Sequence, residues 1–201
     1  MKLWDLKAPI YHWIRWLYPI SHILREENRK IEGFLKELTP QKGGRVLDLG
    51  TGIGNVLKLI PQKVSAFPVD CSFEMVKKAK KNINSNFVVG DALTLPFRSS
   101  VFGLGFAIGI FEYIKDREGF FREFSRVIRP HGLVIITSSP NTILTAMRNL
   151  LGHRVYPIDP EEFNERAHQA GFITIRQSKT LLQNQYLLLK LGNYERDFRV
   201  K

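Results

Sequence analysis

Val46-Leu47-Asp48-Leu49-Gly50-Thr51-Gly52-Ile53-Gly54 is the most informative stretch of this 201-residue chain. An apolar run holding one acid, which reads as a strand, passes into a turn with glycine at every second position. Glycine lets the backbone bend sharply and come close to a ligand, because no Cβ stands in the way. A helix is expected next. Its unpaired N–H groups and partial positive charge would offer a berth to a carboxylate or phosphate.

Other Gly-rich loops are distinguishable from this one. The dinucleotide fingerprint is Gly-x-Gly-x-x-Gly with an acid about 20 residues on. Here the third glycine, Gly54, arrives one residue early, and Asp48 precedes the first. A P-loop is excluded more firmly, since no Gly-Lys-Ser/Thr follows.

Outward from this stretch, short β-rich runs alternate with helical patterns, the mark of an α/β fold with a parallel sheet and crossover helices. Strands are expected at residues 45–49, 65–69, 87–89, 104–108 and 133–137. Two further runs, 173–178 and 185–191, lie close enough to pair as a hairpin. Ser72 caps a helix reaching about Asn82, with Phe73, Val76 and Ile83 near a helical repeat. A second helix, residues 117–129, sets Phe120, Phe121, Phe124, Val127 and Ile128 on one face, and Pro130-His131-Gly132 stops it. Asp159-Pro160-Glu161-Glu162 combines an N-cap, a proline at the first helical position and a glutamate three residues after the cap. That helix should end at Ala170-Gly171.

The first forty residues differ in character. They hold Trp4, Tyr11, Trp13, Trp16 and Tyr18, punctuated by Pro9 and Pro19. Residues 28–38 read as an amphipathic helix with Ile31, Phe34, Leu35 and Leu38 inward. The chain is taken as one domain, residues 1–201, with a helical cap at 1–40 and the α/β core at 41–201.

Composition narrows the class. Hydrophobic residues make up 44% and charged residues 24%, as in a soluble globular protein. The uncharged stretch 99–111 is interrupted by glycine and too short to span a bilayer. No apolar run near the N-terminus leads to a cleavage site, so a secretory signal is not expected. Cys71 is the one cysteine, which rules out an intrachain disulfide and a thiolate cluster. A cytoplasmic location fits these features. No His, Cys or carboxylate cluster has metal-ligand spacing, so no metal is expected. The net charge of +11 is spread along the chain, and Lys77, Lys78, Lys80 and Lys81 fit a solvated helix face.

Residues 42–175 resemble the class I S-adenosylmethionine-dependent methyltransferases, in the branch with quinone, lipid and small-molecule methylating members. Asp48, Gly50, Gly52 and Gly54 match the Asp-x-Gly-x-Gly-x-Gly motif, Phe67-Pro68-Val69-Asp70 the end of the second strand, and Gly90-Asp91-Ala92 the turn after the third. Leu95-Pro96-Phe97, Phe102, Arg126-Val127-Ile128-Arg129-Pro130 and Ala170-Gly171-Phe172 follow in the family's order. The resemblance implies a doubly wound, Rossmann-like, mostly parallel seven-stranded sheet with an antiparallel last strand. It implies S-adenosylmethionine as cofactor, its methionine portion cradled by Gly50, Thr51 and Gly52, with Asp48 near its ammonium group. Asp70 would accept from the ribose hydroxyls with Cys71 beside it, Asp91 would meet the adenine amine with Ala92 adjacent, and Ile108 would end the fourth strand near the methyl group. Tyr11 would reach the methionine end from the cap. Two positions depart from the pattern: Phe102-Gly103 replaces Phe-Asp, and Pro130-His131-Gly132 replaces Pro-Gly-Gly. Histidine tolerates positive φ, so His131 has a structural reading.

The acceptor end is expected at residues 108–113. There Glu112, followed by Tyr113, either orients the substrate, acts as a base or serves as a structural hydrogen-bonding group. His12, His22 and His153 are further base candidates. A small aromatic or lipophilic acceptor is the first expectation. Aromatics mixed with Arg15, Arg25 and Arg29 would close over it, rest on an anionic membrane or pack on the sheet edge. Nucleic acid is the rival substrate because of the charge, although no Asn/Asp-Pro-Pro-aromatic tetrapeptide follows the fourth strand. A non-catalytic cofactor-binding protein is a third reading. The oligomeric state is not legible.

Overall fold

A computed structural model describes residues 20–38, 44–60, 64–150 and 154–192. Seven strands form one sheet: β1 (Arg45–Leu49), β2 (Ser65–Asp70), β3 (Val88–Val89), β4 (Phe102–Ala107), β5 (Ile128–Ser138), β6 (Phe172–Lys179) and β7 (Asn184–Lys190). Their spatial order is β3-β2-β1-β4-β5-β7-β6, with β7 antiparallel between β5 and β6 and the pairs from β3 to β5 parallel. The strand order reverses between β1 and β4. Such a switch point opens a crevice at the carboxyl ends of the strands.

The helices are α1 (Ile20–Glu37), α2 (Phe73–Lys80), α3 (Arg117–Val127), α4 (Ile143–Leu150) and α5 (Pro160–Gln169). Strand alternation sends neighbouring residues to opposite faces. Val46, Leu104, Phe106, Ile135 and Leu187 pack with Phe34 of α1 and with Leu38 just after it on one face. Leu47, Leu49, Val134, Ile136 and Leu188 pack with Phe120, Phe124 and Phe163 of α3 and α5 on the other. Gly105 is needed on that second face, because an added Cβ would come within 2.8 Å of the Phe124 ring. Phe163 stacks on Tyr186 at 3.7 Å between centroids, joining α5 to β7. Among the described residues, no helix is long and apolar enough to cross a membrane.

Several expectations are corrected. The glycine turn leads not into a full helix but into a single 3-10 turn, Val56–Leu59, as suits a crossover that meets Pro61 two residues later. Ile128 belongs to β5 rather than to the end of α3. The helix stops at Val127, and the buried Lys190 ammonium satisfies its end, donating to the Ile128 carbonyl at 2.5 Å and to the Ser125 carbonyl. Phe73 stands 61% exposed because α2 buries Met75, Val76 and Ala79 instead. Asp159 precedes α5 in an N-cap conformation, yet its side chain makes no capping hydrogen bond. Helix α1 extends back to Ile20, just past Pro19, and α4 was not anticipated at all. His131 does adopt a positive φ, 59°.

Candidate functional site

The glycine turn is built against the end of β2. The N–H groups of Gly50 and Thr51 both donate to the Val69 carbonyl, at 2.8 and 3.1 Å. The Gly52 N–H donates to Asp70 Oδ2 at 2.8 Å, and the Ser72 N–H to Asp70 Oδ1 at 2.9 Å. Asp70 is thus held by backbone donors on both sides. Gly50 has φ 67°, and a Cβ there would meet Ile110 at 2.8 Å, so this glycine lets the turn touch the segment after β4. Gly52 has φ 54° with no atom nearer than 4.0 Å to an added Cβ. Among the described residues this position is open, which makes it the candidate cradle.

Asp48 lies beneath it, 1% exposed, on the α1 face of β1. Among the described residues its Oδ2 has no hydrogen-bond partner. Burial pushes the Asp48 carboxyl up to about 7, the Thr51 hydroxyl pulls it back, and the Asp70 charge adds to the rise. Among the described residues this buried acid has no positive partner. Cys71, half-buried, has its thiol pushed up by burial and then by Asp70, which disfavours a nucleophilic thiolate. Asp91 is exposed and accepts from the Leu93 N–H at 2.9 Å, and Ala92 beside it is buried.

Ile108 follows β4, and the N–H of Gly109 donates to Thr137 Oγ1 at 2.8 Å. The chain then makes a second 3-10 turn, Phe111–Tyr113, which buries Glu112 to 2% exposure. Burial raises the Glu112 carboxyl, and Arg148 opposes the rise. Arg148 Nη2 lies 3.6 Å from Glu112 Oε1 and donates to the Tyr113 hydroxyl at 2.9 Å, while Nη1 donates to Ser139 Oγ at 2.8 Å. Glu112 Oε2, also buried, has no partner among the described residues.

The structure therefore gathers Asp48, Gly50, Thr51, Gly52, Asp70 and Cys71 at the carboxyl ends of β1 and β2. Asp91 and Ala92 follow β3, and Ile108, Glu112 and Tyr113 follow β4. Tyr11, His12 and His153 lie outside the described residues, and so does the side chain of His22. Sequence reading missed Arg148 and Ser139 because it missed α4. A signal existed: Thr142 accepts from the Thr145 N–H as an N-cap, and apolar residues follow at 143, 144, 147, 150 and 151.

A methyltransferase-domain family model matches residues 47–136. A demethylmenaquinone methyltransferase of Thermotoga maritima is 33% identical over 149 residues, covering 71% of this chain. The chain spans 63% of that relative's length. Among solved structures, magnesium protoporphyrin IX methyltransferase from Synechocystis with bound SAH aligns at TM-score 0.74 and 15% identity, over 93% of this chain and 96% of that one. The [4+2]-cyclase SpnF aligns at 0.76 and 16%, over 95% of each, so the fold by itself does not name a reaction. With the sheet order, the motif-bearing turn and these matches together, the chain belongs to the class I S-adenosylmethionine-dependent methyltransferase family.

Proposed function

We propose that this chain binds S-adenosylmethionine across the carboxyl ends of β1, β2 and β4 and transfers its methyl group to a small aromatic or lipophilic acceptor. Asp48 is the observation that carries the reading: a buried carboxylate with a partnerless oxygen, raised to about 7, under an open glycine cradle. The residues fit the cofactor's ammonium group, which would supply both the missing donor and the missing charge. In this reading Gly50, Thr51 and Gly52 hold the methionine portion, and Tyr11 closes over it. Asp70, already oriented by two backbone donors, accepts from the ribose hydroxyls, since a carboxylate offers about four acceptor positions. Cys71 lies beside the ribose, Asp91 with Ala92 receives the adenine amine, and Ile108 faces the methyl end.

When bound, the cofactor supplies a methyl carbon activated by its sulfonium. The chain supplies orientation, exclusion of water and proton handling. Glu112 is the base or orienting group, and Tyr113 stands beside it. The acceptor class leans on relatives such as the demethylmenaquinone methyltransferase. We read residues 1–201 as one methyltransferase unit with a cap at 1–40, working in the cytoplasm.

Calorimetric titration with S-adenosylmethionine and S-adenosylhomocysteine, beside Asp70→Ala, tests the proposal. Micromolar binding that Asp70→Ala abolishes is expected. Binding of NAD with neither sulfur ligand bound would overturn it.

A further inference from the structure

Helix α4 is built inside out. Ile143, Leu144 and Met147 are 81%, 38% and 51% exposed, while Thr145 is 1% exposed. A surface helix ordinarily turns its apolar stripe to the core. Here the inward face is polar: Thr145 donates to the Pro140 carbonyl at 2.7 Å, and Arg148, one turn on, reaches Ser139, Tyr113 and Glu112. Hydrophobic packing therefore does not explain how α4 is seated. The guanidinium fork joins three points that follow different strands, Glu112 and Tyr113 after β4 and Ser139 after β5.

We infer that Arg148 is a positioning residue: it turns Glu112 so that Oε1 faces the guanidinium, and Oε2, buried and without a partner among the described residues, is the oxygen that takes a proton once an acceptor bearing O–H or N–H reaches it. This rests on the methyl-transfer reading and narrows its acceptor class. As the acceptor's oxygen or nitrogen bonds to the methyl carbon, the carbon–sulfur bond breaks with its electron pair remaining on sulfur. The acceptor's proton passes to Glu112 Oε2. Arg148 stays charged throughout, so it fixes the direction of transfer without exchanging a proton.

The groups around Glu112 are consistent with this division. Arg148 reaches it from α4, while Ser139 approaches from the end of β5. From the segment before α5, the Tyr156 N–H donates to the Glu112 backbone carbonyl at 2.7 Å, leaving the carboxylate alone. Arg117 of α3 is committed elsewhere, to the carbonyls of Tyr156 and Pro157 and to Glu162. Without Arg148, a buried Glu112 takes a proton instead of remaining charged.

The test uses the full chain with Arg148→Met, Arg148→Lys and Glu112→Gln. Carbon-13 NMR of glutamate-labelled protein, with Glu112 assigned by its loss in Glu112→Gln, follows the carboxyl's titration without any acceptor. Arg148→Met should move its midpoint upward by one pH unit or more, and Arg148→Lys by less. S-adenosylhomocysteine affinity, reporting an intact fold and cofactor end, should change less than twofold. The acceptor probe is 1,4-dihydroxynaphthalene, kept reduced. Arg148→Met should lower its kcat at least tenfold and shift the acid limb of its pH profile upward, with partial rescue by lysine. An unmoved midpoint, wild-type turnover in Arg148→Met, or failure of the probe to bind the S-adenosylhomocysteine-loaded chain would overturn the inference. Failure of the wild type to bind either sulfur ligand would instead overturn the methyl-transfer reading, while the midpoint would still judge the hold of Arg148 on Glu112.

Discussion

The two ends of the site are held by different kinds of bond. At the cofactor end, backbone N–H groups do the holding: Gly50 and Thr51 on the Val69 carbonyl, Gly52 and Ser72 on Asp70. At the acceptor end, side chains hold side chains: Arg148 on Glu112, Tyr113 and Ser139. A backbone cradle keeps its shape through most substitutions, needing only glycine where φ is positive. A side-chain network depends on every member. The first suits a ligand common to a family, the second a ligand that differs from one member to the next.

The comparison breaks most severely at Asp70, whose side chain holds the glycine turn and, in the proposed reading, would also hold the ligand. Asp70→Ala should weaken S-adenosylmethionine binding at least about a hundredfold, since hydrogen bonds to a charged group are worth roughly 1.5–3 kcal/mol each. Calorimetry measures it. At the acceptor end, Glu112→Gln should lower kcat about a hundredfold, the lower range for a lost acid–base group, with cofactor affinity unchanged. Equal turnover in the variant would remove Glu112 from catalysis and leave it a packing role.

Asp48 sharpens the contrast through pH. Its folded pKa, about 7, lies above that of the unfolded carboxyl, so the native state binds this proton more tightly. Stability is therefore highest below about pH 4 on this account, and is lost as pH rises through 7. Thermal unfolding of the ligand-free chain should show it about 2–4 kcal/mol less stable from this group at pH 8 than at pH 5. Asp48→Asn should flatten that difference, and saturating S-adenosylmethionine should shrink it. The smallest effect is expected at Ser72, whose Oγ accepts from the Met75 N–H at 3.2 Å to cap α2. Ser72→Ala should cost about 1 kcal/mol in denaturant unfolding and leave turnover intact.

Legibility followed the same line. Leu47 and Leu49 alternate with Val46 and Asp48, and Gly50, Gly52 and Gly54 need the positive φ they have, so β1 and its turn could be read from nine residues. The seven strands and the antiparallel last one were legible through the resemblance. Helix α4 was not, because Ile143, Leu144 and Met147 face outward while Thr145 and Arg148 reach inward. The end of α3 was misread because Ile128 continues the apolar pattern. At the helix terminus the carbonyl of Ile128 accepts from the ammonium of Lys190, 62 residues away, a partner that no local pattern announces.

By itself the sequence determined the cofactor turn, the candidate acids at the strand ends and the α/β class, since each rests on contacts within a strand, a turn or one helical repeat. The tertiary structure alone decided that Glu112 lies buried beside Arg148 and that, among the described residues, one oxygen of Glu112 is unpartnered and Asp48 has no charge partner. A carboxylate's protonation and aim depend on what is buried around it. For Glu112 that surrounding includes a residue 36 positions away, on a helix whose pattern points the other way.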